Sequence, residues 1–166
     1  MSVTTTVPEG QSEIVMSRIY DAPRDIVWQA MTDPSHVARW WGGAGFSNPV
    51  CEMDVRPGGA WHHVMRFPDG HELDMHFVFV EVEKPRRLVW RSVPLSKGSL
   101  GRPDAVIDVT LEDLGGTRTR WKMAARFSSA AERDAALAMG FTGPIAASGD
   151  RLVAYLPNLV HQADSQ

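Results

Sequence analysis

Arg18-Ile-Tyr-Asp-Ala-Pro-Arg-Asp-Ile-Val-Trp-Gln-Ala-Met-Thr-Asp-Pro-Ser-His-Val-Ala-Arg-Trp-Trp-Gly42 is the stretch that decides the fold. It follows a short β-prone run, Ile14 to Tyr20. Asp21 can accept hydrogen bonds from the free N–H groups of a first helical turn, where Pro23 costs no helix bond. Asp33 and Pro34 repeat that start signal, and the second short helix ends near Trp40-Trp41-Gly42. A strand, two short helices, a long run of strands and a late helix is an order that few architectures accommodate.

Downstream the pattern turns to strands. The Gly42-Gly-Ala-Gly45 loop has no preceding strand and no lysine, so it reads as a flexible connector and not a phosphate loop. A strand is expected near 49–55, then a turn or bulge at Arg56-Pro-Gly-Gly59. Trp61 to Phe67 and His71 to Val82 flank Pro68-Asp-Gly70, a hairpin signal. With Phe67 opposite His71, Arg66 faces Glu72, His63 faces Met75 and His62 faces His76. Leu73, Met75, Phe77 and Phe79 share one face of the second strand, with Glu72, Asp74 and His76 on the other. In the next strand, Arg87 to Val93, Leu88 and Trp90 point in, and Arg87, Val89 and Arg91 point out. A second hairpin joins Ala105–Leu111 to Thr117–Phe127. There Trp121, Met123, Ala125 and Phe127 oppose Arg118, Arg120, Lys122 and Arg126. Asp108 and Glu112 on the partner strand predict cross-strand ion pairs on a solvated surface.

The tail is helical. Ser128-Ser-Ala-Ala-Glu132 offers an N-cap and an acidic first turn. Gly140 and Gly143-Pro144 interrupt, and a renewed helix reaches Leu156, with Pro157 closing it. The fold class is α+β, with helices covering one face of a curved antiparallel sheet. One domain is expected over 13–162, after a flexible segment 1–12.

The chain has 166 residues, a net charge of -3 and one cysteine. No basic excess exists to meet phosphates, so no nucleic-acid partner is expected. Cys51 cannot form an intrachain disulfide, which fits a reducing compartment, and it reads as strand filler. There is neither a secretory leader nor a run of about 18 apolar residues, so a cytoplasmic protein with no membrane span is expected.

Several of these words in this order resemble one family. They are Asp21-Ala-Pro23, Asp33-Pro34, Trp40-Trp41, Asp54-Val-Arg-Pro-Gly-Gly59, Met65 with Pro68-Asp-Gly70, and Pro85-x-Arg87-Leu-Val-Trp90. Gly116-Thr117 and Met139-Gly-Phe141 before Asp150-Arg-Leu152 complete the set. Over roughly 13–156 the chain resembles the activator of heat-shock-protein-90 ATPase homologue-like family, within the START-like (SRPBCC) superfamily. The resemblance implies a helix-grip, Bet v-like fold: a curved sheet wrapped around a long C-terminal helix, with a cavity between them. Many relatives carry Gly-Trp where this chain has Pro144-Ile145, which implies a different pocket wall. About a dozen residues precede the first strand, so the separate chaperone-binding domain of the eukaryotic activator is not expected.

Within that implied cavity the ligand-contacting residues are expected to be Trp41, Trp61, His63, Met65, Met75, Phe77, Trp90, Trp121, Met123, Phe141 and Ile145. The expected function is binding of a small hydrophobic or aromatic molecule, without cofactor. The first alternative is a cofactor-independent cyclase- or hydratase-like enzyme with His63 as acid or base, since His63 is read as the single polar group on that face. The second is a chaperone-activating interaction module. A homodimer and a chaperone partner stay open, with no sequence feature behind either. No metal is expected: His62 and His76 meet on the outer side near Asp74, but a metal there needs a third ligand and fixed geometry.

Overall fold

In the computed structural model, which describes residues 3–8, 11–93 and 105–164, the chain runs β1 (Thr4–Thr6), β2 (Glu13–Tyr20), α1 (Arg24–Thr32), α2 (Pro34–Trp40), β3 (Ser47–Met53), β4 (Ala60–Arg66), β5 (Glu72–Glu83), β6 (Arg87–Ser92), β7 (Val106–Asp113), β8 (Thr119–Arg126), α3 (Ala130–Ala138) and α4 (Thr142–Asp164). The strands make one antiparallel sheet in the order β1-β2-β8-β7-β6-β5-β4-β3. The helices pack on its inner face, so the expected helix-grip architecture is what forms. The core joins Ile14 and Met16 of β2, Trp121 and Met123 of β8, and Leu152, Leu156 and Leu159 of α4.

Helix starts follow the expected chemistry in two cases. Asp33 caps α2 by accepting from the Ser35 N–H at 2.9 Å, and Ser129 caps α3 by accepting from the Glu132 N–H. Asp21 does not cap α1. Pro23 occupies that position with no side-chain cap, and Asp21 instead lies 3.5 Å from Arg118. The expected stop at Pro157 is also corrected: α4 runs through it to Asp164. A proline inside a helix costs about 3 kcal/mol. Leu152, Leu156 and Leu159 carry one buried stripe across the break. Leu159, the one of the three beyond Pro157, offsets part of that cost by about 1.5–3 kcal/mol of burial. In the segment expected to be loose, Thr4–Thr6 pairs with β2, Thr5 opposite Met16.

The β4–β5 hairpin has the expected register, with Arg66 opposite Glu72, His63 opposite Met75 and His62 opposite His76. Gly70, at φ 95°, donates to the Phe67 carbonyl and closes the turn. Strict alternation along β5 would carry Glu81 into the core. A bulge at Val80 prevents this: Phe79 pairs with Trp90 and Glu81 with Val89, so Val82 packs inward and Glu81 reaches Arg87. The Arg56–Gly59 turn sits against this bulge, with Phe79 donating to the Gly59 carbonyl at 3.0 Å. Only glycine fits at position 59, because a Cβ there would stand 1.9 Å from the Asp54 carbonyl oxygen.

The outer face is not uniformly wet. Val89, expected outside, is buried, as is its cross-strand neighbour Asp108. Arg87 grips Asp108 with two bonds, 2.8 and 3.1 Å, and Arg126 adds a third at 2.8 Å. The far sides of these arginines reach Glu81 and Glu13, giving a charge ladder across four strands and the bulge strand beside them. The ion pairs expected from sequence are present, and Arg120 also meets Glu112 at 3.1 Å. Burial alone would raise the Asp108 pKa. The hydrogen bonds and charges of Arg87 and Arg126 outweigh it and hold the carboxyl below the usual carboxylate range. Asp108→Ala should lower the unfolding free energy at pH 7 by about 1–3 kcal/mol. Because the folded value is depressed, this contribution is present above the unfolded pKa of about 3.9 and fades as pH falls below it. Urea melts of both proteins from pH 7 to pH 3 check this, and a gap that does not narrow on acidification contradicts it.

Candidate ligand cavity

Helix α4 is held to the rest of the molecule by polar bonds concentrated between Ser148 and Tyr155. Ser148 Oγ accepts from the Gly42 N–H at 2.7 Å. Asp150 meets the buried guanidinium of Arg18 at 2.6 Å. Arg151 donates to the Arg39 carbonyl at 2.7 Å and to the carbonyls of Trp41 and Gly43 at 3.2 and 3.1 Å. A cation here satisfies and complements the C-terminal end of α2. Tyr155 bonds the half-buried His36 of α2 at 2.6 Å. The Gly42–Gly45 loop, expected as a flexible connector, is thus pinned by two residues of α4.

The turn before this clamp is different. Ala146 and Ala147 are short, and together with Ile145 they face a cavity of about 700 Å³ between α4 and the sheet. The opposite wall is aromatic. Trp61 is T-shaped to Trp41 and Trp90, with ring centroids 5.3 Å away in each case, and stacks on Phe79 at 5.6 Å. Trp121 and Met123 continue that wall on β8, and Met65, Met75 and Phe77 extend it on β4 and β5. The paired tryptophans divide the work. Trp40 is buried and donates to the Ala30 carbonyl at 2.9 Å, locking α2 to α1, while Trp41 turns into the cavity.

Of the expected contact residues, Trp41, Trp61, Met65, Met75, Phe77, Trp90, Trp121, Met123, Phe141 and Ile145 all border this space. His63 does not. It is fully buried behind Trp41 and Trp61, where its Nδ1 accepts from Trp61 Nε1 at 3.3 Å. Its Nε2 bonds Asn48 Oδ1 at 2.7 Å, and Asn48 Nδ2 donates on to the Ala38 and Trp41 carbonyls. Both ring nitrogens are therefore used, in the tautomer protonated at Nε2. Burial, with a smaller push from His62, lowers its pKa to about 4. His63 is a neutral latch joining β4, β3 and the end of α2.

His63 is also not the one polar group turned inward. Arg18 and Tyr20 border the cavity and are buried, with Arg18 over the Tyr20 ring at 6.0 Å. Burial pushes the Tyr20 phenol up to about 12, partly offset by Arg18. Alternation along Ile14, Met16, Arg18 and Tyr20 carried this information, since all four fall on one face. Gly149 makes the arrangement fit: a Cβ there would stand 2.5 Å from Arg18 Nη1 and 3.2 Å from the Tyr20 hydroxyl. Burial raises the Cys51 thiol to about 11, which removes it as a nucleophile at neutral pH.

The family described as Activator of Hsp90 ATPase homolog 1-like protein matches residues 21–157, and the chain belongs to it. Among solved structures, a protein from Nitrosomonas europaea is 23% identical, with 96% of this chain and 100% of that one covered at a TM-score of 0.79. A protein from Arthrobacter aurescens is 22% identical over 93% of this chain and 91% of that one, at 0.83. The AHSA1 protein from Silicibacter pomeroyi is 18% identical over 87% and 97%, at 0.69. At these identities the likeness is one of fold. No curated protein matches the chain. Among the described residues no helix is long and apolar enough to cross a membrane.

His63 makes stability pH-dependent. Its folded value lies below the unfolded value of about 6.5, so between pH 6.5 and 4 only the unfolded chain takes up this proton. Stability should fall as pH drops through that window, by up to about 1.4 kcal/mol per pH unit. Urea melts of the natural chain and of His63→Gln should show a steeper decline in the former. Equal slopes would mean that the imidazole is not held neutral.

Proposed function

We infer that the protein binds a small, largely apolar molecule, aromatic or acyl in character, between α4 and the sheet. The observation that carries this reading is the 700 Å³ space walled by tryptophan, phenylalanine and methionine. Aromatic rings offer large apolar contact, and thioethers adapt to irregular ligands. Arg18 and Tyr20 supply one polar point on that wall, suited to a single hydroxyl, carbonyl or carboxylate on the ligand. The free thiol of Cys51 fits a reducing compartment, and we place the protein in the cytoplasm.

The enzyme reading built on His63 loses its support, because the imidazole is neutral, doubly bonded and outside the cavity. The chaperone-activator reading rests on the family description alone.

Tryptophan quenching and native mass spectrometry against medium-chain fatty acids and fused-ring aromatics test the binding. Saturable quenching by at least one class, at one molecule per chain, is expected. Trp121→Ala should weaken that binding at least about tenfold, or 1.4 kcal/mol. Its stability loss should fall short of the roughly 3–5 kcal/mol of a fully packed tryptophan, since one side of the ring meets the cavity. Ile145→Trp, which fills the space from α4, should abolish binding of the largest ligands without lowering the melting temperature. Saturable binding that neither variant alters would place the ligand elsewhere, and no binding by either class would contradict the reading.

A further inference from the structure

The outer face of the β4–β5 hairpin carries a second cluster, His62, Asp74 and His76, the last two of which also border the cavity. His62 and His76 are directly opposite in the register. Counting back in twos from the Phe67–His71 hydrogen bond puts them on a non-hydrogen-bonded pair, where cross-strand side chains stand closest. Their rings stack at 4.4 Å with an interplanar angle of 8°. Asp74, two residues before His76, lies on the same face. Its Oδ1 is 2.8 Å from His62 Nε2 and 3.1 Å from His76 Nε2. Two imidazole nitrogens and one carboxylate oxygen thus converge, all within 4.8 Å of one another.

We propose that His62, Asp74 and His76 form a surface site for a divalent transition-metal ion of the zinc or nickel type. The third ligand that the sequence alone does not supply is present, and the paired register holds all three donor atoms within 4.8 Å of one another. The donor set, two nitrogens and one oxygen, suits a borderline ion and not calcium or magnesium, which prefer oxygen alone. A tetrahedral zinc ion holds its donor atoms roughly 3.3 Å apart at bonds of about 2.0–2.1 Å. Half-exposed side chains on a rigid two-strand register reach that spacing by rotating their side-chain bonds. Glu52 of β3 is opposite His62 and on the same face, so it can supply a fourth ligand or orient a bound water. By contrast, the Asp69–His71 pair in the hairpin loop offers two donors, with no convergent third among the described residues. Nothing in this proposal depends on the cavity being occupied.

The test is titration of Zn²⁺ alone into untagged, chelator-treated protein, followed by calorimetry and by competition with a chromophoric chelator. One ion per chain at micromolar concentration is expected. His62→Ala and His76→Ala should each weaken binding by at least about tenfold, as should Asp74→Ala, while His71→Ala should leave it intact. Melting curves without metal should coincide for all six proteins, the double variant His62→Ala/His76→Ala included, because the replaced groups are surface residues. Excess Zn²⁺ should then raise the melting temperature of the natural chain and of His71→Ala, but not of His62→Ala/His76→Ala. Absence of saturable binding to the natural chain overturns the proposal. So does binding that survives in His62→Ala/His76→Ala.

Discussion

Everything about the interior depends on how α4 is held. A helix laid on a sheet by apolar contact alone would sink until the gap closed, because each square ångström removed from water is favourable. Here the middle of α4 is fastened by directional bonds to three different elements. Arg18 of β2 takes Asp150, the α2 terminus takes Arg151, and the Gly42 amide takes Ser148. These bonds have fixed lengths, and they set the height of the helix above the sheet. Beyond the clamp, Leu152, Leu156 and Leu159 pack as ordinary core. Before it, short side chains face the aromatic wall across a space. The same clamp explains two local oddities, a glycine inside the helix at 149 and the ordering of the glycine-rich loop after α2.

The aromatic wall needs rigidity of its own, and a polar device lies behind it. His63 and Asn48 link β4 and β3 to the last carbonyls of α2, while Trp41 and Trp61 cover them on the cavity side. Buried polar groups that satisfy one another fully specify a single arrangement. The latch therefore fixes where the two rings stand without adding a polar surface to the cavity. Arg18 and Tyr20 bring polarity to the cavity from the opposite edge, and Asp74, His76, Ser92 and Ser148 also border it.

Most of the architecture was legible in the sequence because it is carried by short-range signals. Asp33-Pro34, Pro68-Asp-Gly70 and the alternation of Trp121 with Lys122 each specify local geometry, and together they order the elements. The inward-facing residues of β4, β5, β6 and β8 followed from the same alternation. What failed depended on contacts between distant parts of the chain. Pro157 reads as a helix end until the leucine stripe that spans it, from Leu152 to Leu159, joins the core. Val89 reads as solvated until Asp108 and its two arginines cover that row. His63 shares a face with the cavity residues, so periodicity could not reveal that Trp41 closes over it. Asn48 gave no signal at all, since its role exists only through His63 and the α2 carbonyls. Arg18 was readable, because it alternates with Ile14, Met16 and Tyr20, but a charge in that register contradicts the usual cost of burial until Asp150 supplies its partner.

The central claim is that α4 is held off the sheet over a largely apolar chamber. Xenon enters such chambers and ignores solid core. A crystal pressurised with xenon should show ordered xenon density between Trp61, Trp121 and Ile145, with the α4 clamp unchanged. An interior that takes up no xenon, with side chains meeting across the gap, would contradict the account.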